Sequence, residues 1–239
     1  MEYIDEFVDE RQKSWCIQCG AWIGEVNTNK DHVPSKGLLR KPYPDNLPVV
    51  ATCTACNSGF SADEEYLSLF LHCVLVGSTD PERHADEKVV RALRRHGKLR
   101  TRIERSKTEY QTIGGETRCV WKPETQRVER VVVKNARGHA FYEYGEPMLT
   151  EPEHVWTFPL DSMTAAEREE FETTAGELAL WPEVRSRMMT RVLTGQDMRD
   201  GWVIVQDGVY RFRAEQCDVM RVRSVLFEYL ATEVYWSDY

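Results

Sequence analysis

In the stretch TNKDHVPSKGLL, residues 28–39, Asp31 and His32 stand side by side. An adjacent carboxylate and imidazole can hold a cation and move a proton, which a plain linker has no need to do. The plainer alternative is an Asx-turn at Asp31 with His32 on the surface. The stretch lies between two knuckles, Cys16-x2-Cys19 and Cys53-x2-Cys56. Together these can supply four thiolates to a tetrahedral zinc, a closed structural site with no position left for substrate. Cys19 and Cys53 are separated by 33 residues, more than a zinc ribbon usually spans, so the intervening segment reads as an insert. The bland alternative is four unrelated core cysteines. Cys73, Cys119 and Cys217, single and set among apolar neighbours, are read that way.

Two asparagines extend the pattern: Asn46 in Pro44-Asp45-Asn46-Leu47, and Asn57 directly after Cys56. Alone, Asn46 is an ordinary turn residue and Asn57 a helix cap. The ordered set Cys16-x2-Cys19, Asp31-His32-Val33-Pro34, Asn46-Leu47, Cys53-x2-Cys56-Asn57 resembles the HNH nuclease family of the ββα-metal group. The resemblance covers residues 14–77, under a third of the chain. It implies that His32 is the general base for hydrolysis of a DNA phosphodiester. It also implies that Asp31 and Asn57 bind a catalytic divalent ion and that Asn46 braces the histidine loop. Hard oxygen ligands of this kind suit Mg²⁺ or Mn²⁺. Two departures stand out: Asn57 takes a position where many members have His, and Gly59-Phe60-Ser61 stands where many have Lys-Gly. The second removes a phosphate contact. Roles in phage defence or restriction are associated with the family.

The whole chain, 239 residues with net charge −8, argues against nucleic acid unless a local basic patch reverses the balance. Residues 83–107 supply one, with ten Lys or Arg. Arg91, Arg94, Arg95, Lys98 and Arg102 are the candidates for DNA-backbone contacts, against the alternative of a solvated helix face. Single-stranded DNA and RNA are lesser options. The start, MEYIDEFVDE, lacks a basic leader region and no apolar run is long enough to span a bilayer. The expected setting is therefore the cytoplasm, where paired cysteines suggest metal.

These residues need elements to position them. The expected fold class is α+β: an N-terminal zinc-braced ββα-metal core over residues 1–78, a basic helical segment over 79–115, and a mixed α+β domain with antiparallel strands over 116–239. A short helix is expected over residues 2–13. A second helix is expected to be capped by the Ser61-x-x-Glu64 box and to end at Gly77. Residues 112–116, rich in glycine, mark the domain boundary. A strand is expected over 117–122, then helices over 125–144 and 164–180. Asp207-Gly208 predicts a hairpin with a type I′ turn. The C-terminal aromatics read as core, with base stacking as the alternative. Two rival functions remain open. One is a non-catalytic zinc-stabilised nucleic-acid-binding module. The other is an effector nuclease restrained by its C-terminal domain, with higher activity in residues 1–110 alone.

Overall fold

The computed structural model describes residues 1–4, 12–111, 113–173, 182–216 and 219–237. Its class is mixed α+β, with antiparallel sheets. The expected helix over 2–13 falls largely outside the described residues, as do Cys217 and the end of the helix expected over 164–180.

Two compact units form, one from residues 1–60 and 131–239, the other from 61–130. The chain therefore does not divide at the expected 78 and 115. The glycine-rich segment taken for a boundary lies between β3 (Lys107–Gln111) and β4 (Thr117–Trp121), which pair antiparallel, and Gly115 sits at φ 79°. Glycine here serves a hairpin, since a left-handed residue lets the chain reverse without a Cβ clash.

The larger unit opens with a two-stranded hairpin, β1 (Thr28–His32) against β2 (Val49–Cys53), in the register Thr28↔Cys53 to His32↔Val49. β2 leads directly into α1 (Thr54–Val76). That helix runs through Ser61, so the capping box expected there does not begin it. The start falls at Thr54, whose amide and hydroxyl both donate to the Asn27 carbonyl (2.8 and 3.0 Å). Its end is as expected. Gly77, at φ 70°, closes a Schellman motif through Ser78 N–H to Cys73 O and Gly77 N–H to Val74 O.

The main sheet of this unit has six antiparallel strands in the order β5-β10-β9-β8-β7-β6. They are β5 (His154–Pro159), β6 (Met198–Arg199), β7 (Trp202–Gln206), β8 (Tyr210–Gln216), β9 (Met220–Leu226) and β10 (Leu230–Trp236). Alternation of side chains sends Tyr210, Phe212 and Ala214 of β8 to one face. The helix α4 (Thr125–Tyr144) meets that face with residues of its C-terminal half. His139 stacks on Phe212 with centroids 3.7 Å apart and shares a 3.0 Å hydrogen bond with the Tyr210 hydroxyl, while Tyr144 donates to Ala214 O. On the opposite face α5 (Ala165–Glu172) contributes Phe171 to a cluster with Leu160, Trp202, Val225 and Ala231. Thr164 and Glu167 close its capping box. The Asp207-Gly208 hairpin forms between β7 and β8, but not as a type I′ turn. Gln206 pairs with Tyr210, so three residues make the connection, and only Gly208 among them is left-handed (φ 66°). Last comes α6 (Arg187–Thr194), whose buried Arg191 pairs with buried Glu143 at 3.0 Å.

The smaller unit holds the basic segment as two short helices, α2 (Glu87–Arg95) and α3 (Gly97–Arg105). Asp86 caps the first by accepting from Lys88 N–H (2.8 Å). Within this unit the buried Asp63 receives Arg127 at 2.5 Å and Arg130 at 2.6 Å, and Tyr66 Oη accepts from the Glu124 amide. Cys73 is buried as expected, but Cys119 is exposed on β4, a two-stranded ribbon with few covered side chains.

Candidate functional site

The four paired cysteines come together. Their sulfurs lie within 4.8 Å of one another, a cluster that can hold a metal ion. Local structure explains each position. Cys16–Cys19 is a tight knuckle closed by Gly20 N–H to Cys16 O and Cys16 N–H to Ala21 O, with Gly20 at φ 69°. Cys53 ends β2 and Cys56 sits in the first turn of α1. Backbone amides point at sulfur: Cys53 N–H donates to Cys16 Sγ (3.3 Å) and Cys56 N–H to Cys53 Sγ (3.4 Å). The Cys56 amide also holds the Cys53 thiol below its ordinary pKa, whereas burial pushes the Cys56 thiol up. Cys19 Sγ and Cys53 Sγ are 3.8 Å apart. A tetrahedron with metal–sulfur bonds of ~2.3 Å has edges of about that length. The donor set fits a structural zinc.

Asp31 and His32 end β1. A small core fixes them from below: Ile17 of the first knuckle, Val33, Val50 of β2 and Phe141 of α4 pack together. That helix comes unusually close. A Cβ added at Gly138 would lie 2.6 Å from Val33 Cγ2, inside any real contact. The polar residues beside Gly138 read the loop directly. Asn135 Oδ1 accepts from both the amide (2.9 Å) and the hydroxyl (3.1 Å) of Ser35, and its Nδ2 donates to Val131 O. Lys134 Nζ donates to Asp31 Oδ1 (2.8 Å) and to Ser35 Oγ (2.9 Å). Gln18 Nε2 donates in turn to the Lys134 carbonyl.

The Asp31 and Lys134 side chains are only 8% and 2% exposed, so the pair is a buried one. His32 is half-buried beside it. Burial lowers its pKa first, and the positive charges of Lys36 and Lys134 lower it further. The imidazole is therefore neutral at neutral pH and able to accept a proton.

The expected Mg²⁺ or Mn²⁺ does not fit this arrangement. A hard divalent ion needs an accessible carboxylate oxygen, and Asp31 is enclosed with an ammonium already in contact. Asn57 is half-buried in the first turn of α1. Asn46 is exposed, in a left-handed turn (φ 55°), and its amide donates to Met1 O at 3.4 Å. Ser35, three residues after His32, is held by Asn135, on an element far away in sequence.

The five basic candidates are all exposed on α2 and α3, and two have carboxylate partners. Arg94 pairs with Glu82 (2.5 Å), and Arg102 forms a two-pronged pair with Glu124. Arg91 Nε donates to the Glu87 carbonyl. The C-terminal aromatics are mostly core, with Trp202, Tyr210, Phe212 and Trp236 buried, although Trp156 and Phe158 on β5 are about half exposed.

Sequence reasoning missed Lys134, Asn135 and Gly138. The available signal was a Lys-Asn pair and a glycine inside a helix otherwise rich in valine and aromatics. Comparison with protein-family models, with curated proteins and with solved structures finds no match. No helix among the described residues is long and apolar enough to cross a membrane.

Proposed function

We propose that this chain is an HNH-type phosphodiester hydrolase acting on nucleic acid, DNA foremost, with a structural zinc on its four cysteines and His32 as general base. One observation carries the reading. Asp31 and His32 end the first strand of a hairpin whose second strand bears the Cys53 knuckle and runs straight into a helix with Asn57 in its first turn. That is the hairpin-then-helix order the resemblance requires.

The chemistry follows from the residues present. Neutral His32 takes a proton from water, the oxygen bonds to phosphorus, and the bond to the leaving oxygen breaks, that oxygen taking up a proton from solvent. Lys36, exposed in the turn after the loop, offers an ammonium to the phosphate oxygens. The free basic side chains of α2 and α3 contribute affinity without reading sequence.

In a plasmid relaxation assay, His32→Ala is expected to fold and keep zinc but lose cleavage by ~10²–10⁴-fold. Cleavage by the variant at the parent's rate would end this assignment. The second reading, a non-catalytic zinc-stabilised binding module, draws support from the Lys134–Asp31 pair, which resembles a structural ion pair. It expects DNA binding by the parent with no cleavage under any ionic condition. The restrained-effector reading meets a physical obstacle: a fragment of residues 1–110 lacks Lys134, Asn135 and Gly138, which pack on the histidine loop.

A further inference from the structure

The Asp31 carboxylate has a resident partner. Lys134 Nζ sits 2.8 Å from Oδ1 and 2.9 Å from Ser35 Oγ, and its side chain is almost wholly enclosed. The ammonium is held in place at several points. Its own carbonyl receives Gln18, the next residue grips Ser35, and Gly138 one turn on lies against Val33. Together the carboxylate and the ammonium are neutral. A divalent ion at the same oxygen would put three positive charges around one negative charge in an enclosed space, where water screens poorly.

We infer that Lys134 fills the cation position at Asp31, so that a divalent metal reaches this carboxylate only by displacing the ammonium. The inference rests on reading Asp31–His32 as the functional pair, and it makes α4 part of the site. In electrostatic terms Lys134 does for Asp31 what a metal would otherwise do: it neutralises the carboxylate and fixes its direction.

The test is Mn²⁺ binding to the full-length, zinc-loaded chain, read from the electron paramagnetic resonance signal of free Mn²⁺. The parent is expected to bind Mn²⁺ only weakly, less than tenfold more tightly than Asp31→Asn. Lys134→Met, which keeps length without charge, is expected to bind at least tenfold more tightly, and Lys134→Met/Asp31→Asn to return to the parent level. Tight binding by the parent that falls tenfold in Asp31→Asn would overturn the inference, as would no gain in Lys134→Met. Should Lys134→Met fail to fold, amine methylation of the parent decides. Lys134 is expected to be protected without Mn²⁺ and to become reactive only as Mn²⁺ occupies Asp31. Asp31-dependent Mn²⁺ binding with Lys134 still protected would refute displacement. Absence of cleavage in every form would bear on the hydrolase reading alone.

Discussion

Two histidines illustrate how burial sets the role of a single residue. His32 is half in solvent, close enough to water to exchange protons. His139 is fully enclosed between α4 and β8, and burial pushes its pKa down to about 3 from an ordinary 6.5. The unfolded chain therefore binds a proton at His139 that the native chain refuses. Stability from this group is complete above pH 6.5 and falls as pH drops toward about 3. The slope is about 1.4 kcal/mol per pH unit. His139→Phe retains a ring against Phe212, so urea titrations should show a shallower acid decline in the variant than in the parent. Parallel declines would mean that His139 protonates in the native state. Nothing in the sequence separated these two histidines except the motif around His32, because enclosure of His139 depends on strands about 70 residues further on.

Among the elements, α4 was legible as a helix but not as part of a site. Its bounds, 125–144, agree with the expected range, because valines and aromatics recur along one face. Its contribution of Lys134 and Asn135 to the Asp31 loop is a long-range pairing that periodicity cannot report. The β1–β2 hairpin was expected from the resemblance to a ββα-metal core, and the start of α1 was misread because Ser61-x-x-Glu64 satisfies a capping pattern inside a continuing helix. Gly138 gives a direct test of the contact between α4 and the loop. A helical Gly→Ala change usually stabilises by ~1 kcal/mol. Here the new methyl group meets Val33, and overpacking of this kind costs ~1–3 kcal/mol. Gly138→Ala should thus lower the unfolding midpoint, and adding Val33→Ala should recover part of the loss. Strict additivity in the double-mutant cycle would show that the helix relaxes away from the loop.

Across the molecule, the four-cysteine cluster ties the first knuckle, the hairpin and α1 into one assembly. Purified protein should carry about one zinc per chain by elemental analysis. Cys53→Ser should lose the metal and with it folding energy of order ~10 kcal/mol. Folded parent protein free of zinc would disprove the assignment. Because residues 61–130 intervene, the larger unit is assembled from two separate lengths of chain. Asp31 and its counter-ion are 103 positions apart. At a synthesis rate of ~5–20 residues per second, a ribosome needs about 5–20 s to progress from one to the other. Throughout that interval the nascent loop carries an unneutralised carboxylate, so it cannot close into its buried setting. The Asp31–Lys134 pair can thus form only after the whole of residues 61–130 has emerged.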